Sequence, residues 1–438
     1  MMDFSKIKTV HFVGIGGIGM SAIARMFLLG QVRVTGSDIA DSEILSELRE
    51  LGAEITIGQS LEQIPKDSEL IIYTAAIAVA EPALFAEVKK LPIPSLSYAE
   101  ALGLMSEGKK TIAVSGTHGK TTTTAMIAKI LIDAGLQPTV LIGSLIEDPK
   151  TGKPVNFIKG SGDYFVVEAD EYQRSFLTLS PYVLVVTNID VDHLDYYRDL
   201  SDIQGAFAEL AGKVSANGAV VTGFSKENVK PVIDAARVPV LDYDSADIEG
   251  LAMAFPGEHN RENARVAITV SGFLGVPIEK AVASLNSFKG AWRRFEYKGK
   301  MANGALVYDD YAHNPQKVRA VLAGAREMFP GKKIIAVFQP HLYSRTKTLL
   351  AEFAKSFGDA DEVVFLPIFP AREKFDPTIS AEILLKKVRE ISPKKNLHYI
   401  AGFEEVVAYL NKSTGKTSVI FTVGAGDVYK LVPKLLSF

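Results

Sequence analysis

At 438 residues, with 47% hydrophobic and 23% charged side chains, the chain has a globular composition and is too long for one ordinary core; its length suggests about three domains. A net charge of -3 supplies no positive field to gather nucleic acid or an anionic membrane, so an anionic ligand must be held by local groups. Cysteine is absent, which excludes disulfides, thiolate nucleophiles and cysteine metal sites and fits a reducing, cytoplasmic setting.

The first element is the β-branched run from Thr9 to Val13, which reads as a strand and leads through Gly14, Gly16, Gly17 and Gly19 into a helix through Arg25 to Leu29. Lys6 and Lys8 ahead of the uncharged stretch Thr9 to Ala24 imitate a secretory leader, but this glycine density suits a turn, and no cleavage site follows. No uninterrupted apolar run approaches the length of about 18 residues that spans a bilayer. Gly14-x-Gly16-x-x-Gly19, with Asp38 near the distance of a ribose-binding acid, is the fingerprint that brings a pyrophosphate to a helix N-terminus. The dinucleotide of a dehydrogenase fits it, and so do the pyrophosphate and ribose of UDP; a purely structural turn is the third reading.

The polar stretch Ser106 to Lys110 marks a domain boundary, and the theme then repeats. Thr111 to Val114 reads as a strand, Gly116-Thr117-His118-Gly119-Lys120-Thr121 as a turn, and Lys120 to about Ala134 as a helix closed by Gly135. In that context the glycines let backbone N–H groups point at anionic oxygens while the helix N-terminus adds positive potential. Lys120 then reaches the β- and γ-phosphates of a nucleotide, and the Thr121 hydroxyl ligates Mg²⁺. The full Walker spacing places a glycine where this chain has Val114, so the loop is a shortened variant.

Further buried strands are expected at Tyr164–Val167, Tyr182–Val186, Ile334–Phe338, Glu362–Leu366 and Ser418–Thr422. Near-continuous apolar strands alternating with helices predict an α/β fold with parallel sheets. Glu168-Ala169-Asp170-Glu171 and Thr187-Asn188-Ile189-Asp190-Val191-Asp192-His193 each end such a strand, where α/β folds place ligands, and their carboxylates and histidine suit Mg²⁺ beside phosphates. His118, His193, His259, His313 and His341 all read as loop histidines. A second boundary is placed near Tyr297–Asn303, giving domains 1–107, 108–297 and 298–438.

The loop from Gly116 to Thr123, Glu168-Ala169-Asp170 and Asn188…His193 together resemble the Mur ligase family, which also includes folylpolyglutamate synthetase. Gly257-Glu258-His259-Asn260-Arg261-Glu262-Asn263, Arg293-Arg294-Phe295 and Asp309-Asp310-Tyr311-Ala312-His313-Asn314-Pro315 resemble its later motifs. The opening glycines, Phe338-Gln339-Pro340-His341 and Gly424-Ala425-Gly426-Asp427 resemble the branch that joins L-alanine to UDP-N-acetylmuramate. The resemblance runs in order along essentially the whole chain. It implies an N-terminal Rossmann-like domain for the UDP substrate, a central ATPase domain of P-loop type, and a C-terminal Rossmann-like domain for the amino acid. It also implies ATP and Mg²⁺ as cofactors, UDP-N-acetylmuramate and L-alanine as substrates, and an acyl-phosphate intermediate. Charge and the absence of a long apolar run lead to the expectation of no nucleic-acid or membrane partner, and a monomer or weak homodimer is expected.

Residue by residue, the resemblance puts the UDP substrate on Gly14, Gly16, Gly17 and Gly19, to which spacing adds Asp38, and the phosphates of ATP on Gly116, Thr117, His118, Gly119, Lys120, Thr121 and Thr122. It puts Mg²⁺ on Thr121, Glu168 and His193, and adenine on Asn260 and Asn263. Arg294 would steady the phosphates, Asp310 would reach the ribose, and His313, His341 and Arg345 would face the acyl phosphate and the amine. The branch often carries a histidine at Asn314 and an arginine at Leu342; Arg372 is a candidate for the missing positive charge. The alternatives are a ligase that attaches a recycled tripeptide to the same UDP sugar and, from another class, a nucleotide-switched binding protein. An oxidoreductase has no use for the second loop.

Overall fold

The computed structural model describes residues 4–194, 196–253, 255–371 and 373–437. Its strands form three sheets. The first contains β1 (Thr9–Val13), β2 (Arg33–Asp38), β3 (Glu54–Ile57), β4 (Leu70–Tyr73) and β5 (Ser95–Ser97) in the order β3-β2-β1-β4-β5, all parallel. The second contains β6 (Lys110–Ser115), β7 (Thr139–Glu147), β8 (Pro154–Ile158), β9 (Tyr164–Glu168), β10 (Val183–Val186), β11 (Ala219–Thr222) and β12 (Val240–Asp242), in the order β12-β11-β10-β6-β9-β7-β8. Only the β7–β8 pair is antiparallel there. The third contains β13 (Glu296–Lys300), β14 (Leu306–Asp310), β15 (Lys333–Phe338), β16 (Glu362–Phe365), β17 (Asn396–Tyr399) and β18 (Ser418–Val423), in the order β13-β14-β18-β15-β16-β17, with β13 antiparallel to β14.

This is the α/β class expected from strands of four to six buried residues alternating with helices. Every strand read from the sequence is present, with ends displaced by a residue or so. The chain divides into two compact units, residues 1–252 with 262–288 and residues 253–261 with 289–438.

In the first unit the first two sheets share an apolar core that runs from Val10 and Phe12 through Ile23 and Phe27 to Phe165 and Phe207. The helix Ile18–Leu29 packs on β7 and β8. Asn156 of β8 fastens its first turn, donating from Nδ2 to the Ile18 carbonyl at 2.6 Å and to Ser21 Oγ at 2.8 Å. In the second unit Val307, Ile335, Val337, Val364 and Ile420 pack under Leu431 and Leu435. In all three sheets the glycine- and acid-bearing segments follow the carboxyl ends of strands, the end at which a parallel sheet leaves open crevices.

Candidate active site

After β1 the chain turns through Gly14 at φ +82°, where a β-carbon would meet Thr74 Cγ2, past the end of β4, at 2.5 Å. β1 and β4 flank the point at which the strand order reverses, so the glycine turn opens into that crevice. Gly19 is pressed by the Tyr98 ring, whose atoms lie 2.7 Å from where a β-carbon would be. Gly17 is the N-cap of the helix Ile18–Leu29. Asp38 Oδ2 accepts the Gly16 N–H at 2.8 Å and Oδ1 accepts the Ile39 N–H at 2.8 Å, so this acid braces the loop itself. The sequence reading as a ribose ligand did not anticipate that bracing.

The second loop is locked to the end of β10. Gly116 has φ +130°, and a β-carbon there would lie 2.1 Å from Thr187 Oγ1. The Thr117 N–H donates to the Asn188 carbonyl at 3.1 Å, and the His118 N–H to Asn188 Oδ1 at 2.9 Å. Thr187 Oγ1 donates to the His118 carbonyl at 2.6 Å. Gly119, the N-cap of the helix Lys120–Asp133, has φ +84°, and a β-carbon there would lie 2.5 Å from Asn263 Oδ1, which also accepts the Thr123 hydroxyl at 3.1 Å.

Gly119→Ala is therefore expected to lower the unfolding free energy by about 1–3 kcal/mol, combining left-handed strain with displacement of Asn263. Gly135→Ala is the control: it has φ +81° with nothing within 4 Å, so it suffers the backbone strain alone. Urea unfolding of the two variants checks this, and equal losses would remove the Asn263 contact from the account.

Lys120 is largely buried. Its Nζ donates to the Gly116 carbonyl at 2.6 Å and to Glu171 Oε2 and Oε1 at 2.8 and 3.0 Å. Burial pulls this ammonium down, but Glu171, Asp170 and Glu168 outweigh it and hold Lys120 charged, above its usual value. The Thr121 hydroxyl donates to Glu168 Oε1 at 2.8 Å, while Glu168 Oε2 accepts the Gly143 N–H at 2.9 Å. Thr122 is half-buried beside them.

His193, held at φ +53°, brings Nε2 within 3.8 Å of Glu171 Oε1. Asp170, Glu171 and His193 can each offer a ligand atom within 4.8 Å of the others. The structure thus gathers two donor groups where the sequence proposed one: Thr121 with Glu168, and His193 with Asp170 and Glu171. Both are rich in the hard oxygen donors that Mg²⁺ takes, so the residues present fit that ion. The sequence reading named the acids of this segment but did not select Asp170 and Glu171, because spacing does not rank three acids that follow one strand end.

Asn260 and Asn263 lie three residues apart on the helix Glu258–Phe273, and Asn260 Nδ2 donates to the Pro256 carbonyl at 2.7 Å. His259, read as a loop residue, belongs to the first turn of that helix. The Glu258 that precedes it supplies a first-turn acid, a start signal overlooked beside the glycine of Gly257.

In the second unit, the two arginines of Arg293-Arg294 part ways. Arg293 is inside, donating from Nε to Asp309 Oδ2 at 2.7 Å. Arg294 lies over the Tyr311 ring at 5.3 Å. Asp310 is buried and accepts the Phe295 and Ala312 N–H groups at 2.7 and 2.8 Å; burial raises its carboxyl to about 6.

His313 and His341 stand with ring centroids 6.2 Å apart. His313 Nδ1 is 2.9 Å from the Tyr311 carbonyl, and His341 Nδ1 is 3.2 Å from Arg345 Nη1. Burial, aided by Lys317, Arg345 and Arg294, holds His313 well below its usual value. Burial and Arg345 lower His341 to about 4. Both rings are therefore neutral at pH 7. Asn314 Oδ1 caps the helix Pro315–Met328 by accepting the Lys317 N–H at 2.9 Å, a structural use for the residue that departs from the branch pattern. Leu342, the other departure, has φ +70°. Arg372 lies outside the described residues.

Three sequence profiles match the chain in succession: the Mur ligase family catalytic domain over residues 9–110, the Mur ligase middle domain over 114–247 and the Mur ligase glutamate ligase domain over 293–426. The UDP-N-acetylmuramate–L-alanine ligase of Clostridium kluyveri is 40% identical over 98% of both chains. The chain belongs to the Mur ligase family. The enzyme of the same name from Clostridium botulinum is 41% identical over 98% of this chain and 97% of its own. Among solved structures, the UDP-N-acetylmuramate–alanine ligase of Thermotoga maritima superposes with a TM-score of 0.81 at 28% identity, covering 98% of each chain. A murein peptide ligase from Psychrobacter arcticus shares the fold, with a TM-score of 0.72 at 22% identity. The three-sheet arrangement is thus the family's three-domain architecture, and the chain is an ATP-dependent carboxylate–amine ligase of this family.

Proposed function

We propose that the protein joins L-alanine to the lactyl carboxylate of UDP-N-acetylmuramate at the cost of ATP, through an acyl phosphate, in the building of peptidoglycan. The observation that carries this reading is Lys120, kept charged at the mouth of the second glycine loop with the Thr121–Glu168 pair and the Asp170–Glu171–His193 group beside it. Backbone N–H groups of the loop and the helix N-terminus receive the phosphates of ATP, and Lys120 neutralises the transferring phosphoryl oxygens. Thr121, Glu168 and His193 would hold Mg²⁺, which would neutralise part of the charge on the transferring group. The glycine turn after β1 receives the UDP pyrophosphate, with Asp38 fixing its shape. Asn260, Asn263 and Asp310 serve the adenosine, and Arg294 the phosphates. His313, His341 and Arg345 serve amide formation.

Three functional domains follow the three sheets, divided near Glu107 and Tyr297. No helix among the described residues is long and apolar enough to cross a membrane. Nucleotide substrates and a cysteine-free chain fit the cytoplasm, and the protein acts as a monomer or weak homodimer in this reading.

The test is ADP release with UDP-N-acetylmuramate and a panel of amines. L-Alanine is expected to support turnover, while L-Ala–γ-D-Glu–diaminopimelate is not. Preference for the tripeptide transfers the protein to the recycling reaction. ADP release that needs neither carboxylate nor amine makes it a nucleotide switch.

A further inference from the structure

The two histidines of the second unit have partners of opposite kind. A backbone carbonyl only accepts, so the Nδ1 of His313 that faces Tyr311 must donate, and the neutral ring then presents a bare lone pair at Nε2. A guanidinium only donates, so the Nδ1 of His341 that faces Arg345 must accept, and the neutral ring then carries its proton on Nε2. Each orientation is fixed from a second side. The Tyr311 ring meets His313 edge-on at 5.3 Å, and Phe369 stacks on His341 at 5.7 Å with 16° between planes. The Leu342 N–H donates to the Phe369 carbonyl at 2.9 Å while its own φ of +70° turns the chain into the helix that carries Arg345. A left-handed leucine costs about 1 kcal/mol or more, and it persists because this turn holds His341 and Arg345 in register.

We propose that His313 is the base that takes the proton of the attacking amine, and that His341 is the hydrogen-bond donor to the carbonyl oxygen under attack. The proposal rests on the ligase reading and divides its second half-reaction between two otherwise similar rings. The ammonium of the amino acid brings three hydrogens and the amide keeps one. One proton goes to His313 Nε2, which frees the lone pair that forms the C–N bond. The C–O bond to phosphorus then breaks, phosphate departs with the electron pair, and it takes the second proton. The negative charge that develops on the carbonyl oxygen between these events meets His341 Nε2–H. Burial, with Lys317, Arg345 and Arg294, keeps a proton off the resting His313, so its Nε2 lone pair is open; the same surroundings weaken the ring as a base, and the forming C–N bond must drive the proton across.

The experiment compares L-alanine with hydroxylamine as acceptors in the intact chain. Hydroxylamine is a far weaker base than an amino acid, is neutral at the assay pH and needs no proton removed before it attacks. His313→Gln is expected to lose about 100-fold or more in turnover with L-alanine, the usual worth of a general base, and to form hydroxamate from hydroxylamine at close to the wild-type rate. His341→Ala is expected to lose activity with both acceptors, and His341→Gln, which restores an N–H donor, to recover part of it with both. Equal losses for His313→Gln with the two amines, or hydroxylamine rescue of His341→Ala, overturn the assignment. ADP–ATP isotope exchange that depends on UDP-N-acetylmuramate reports the first half-reaction separately. Its absence in the wild type sinks the ligase reading itself, whereas exchange that persists in both variants confines the question to the histidines.

Discussion

Replacing Lys120 with alanine is expected to abolish substrate-dependent ADP release, a fall of about a thousandfold or more, because charge neutralisation is most of what a protein contributes to phosphoryl transfer. The residue serves in two ways, and the variant removes both. Its ammonium is the cation of the loop, and it is also the partner of Glu171, whose side chain is only 3% exposed. Breaking a buried pair from one side costs about 3–5 kcal/mol, although Glu171 can relieve part of that by taking a proton. A loss of activity in Lys120→Ala could therefore come from a loosened loop. The double variant Lys120→Ala with Glu171→Gln separates the two effects: it removes the stranded charge and is expected to regain stability with no return of ADP release. Lys120→Arg keeps the ion pair but offers a broad fork to a pocket shaped for a point charge, and it is expected to stay folded and slow. Near-normal turnover in Lys120→Ala would remove the phosphate loop from the mechanism.

The parts of this site legible in the sequence were those fixed by local backbone chemistry. A glycine turn between a β-branched strand and a helix has few other ways to fold, so the two loops, the helix Lys120–Asp133 and its closing Gly135 at φ +81° could be read directly. The contacts that sequence does not show are those made with partners distant in the chain. Asp38 sat at the right spacing for a ribose, yet spacing does not reveal that the Gly16 N–H lies 2.8 Å away. Asn263 looked like a nucleotide contact, and it is also the wall against which Gly119 must be glycine. The antiparallel strands β8 and β13 carry little sequence signal, because a short edge strand has no continuous apolar run. The choice among Glu168, Asp170 and Glu171 depends on which way each carboxylate turns after the strand ends, and three acids within four residues are equivalent to any spacing rule.

The pair Arg293-Arg294 presents the same ambiguity and yields the largest expected effect on stability. Only one of them can be inside, and it is Arg293, whose side chain is 2% exposed. Its guanidinium donates to Asp309 Oδ2 at 2.7 Å, to the Gly424 carbonyl at 2.5 Å and to the Gly426 carbonyl at 3.2 Å, and it lies 4.8 Å from the Tyr429 ring and 5.2 Å from the Tyr311 ring. Burial pushes the Asp309 carboxyl above its usual range, and Arg293 is the main group that opposes this. Arg293→Met removes that opposition and leaves two carbonyls without their donor. The expected cost is about 3–5 kcal/mol, against the 5–15 kcal/mol that typically holds a domain together.

Because the chain forms two compact units, urea unfolding followed by a probe in each is the measurement, and the loss should fall on the transition of residues 289–438. Arg293→Lys keeps the charge without the fork and should fall between. An unchanged midpoint for Arg293→Met would mean that the pair with Asp309 only breaks even against an apolar replacement. The functional consequence follows from the backbone: the Tyr311 N–H donates to the Arg293 carbonyl at 2.8 Å, and the Tyr311 carbonyl in turn holds His313. At temperatures where Arg293→Met is still folded, ADP–ATP exchange, which does not use His313, should persist while amide formation falls. The reverse order of loss would place Arg293 in the phosphoryl half-reaction.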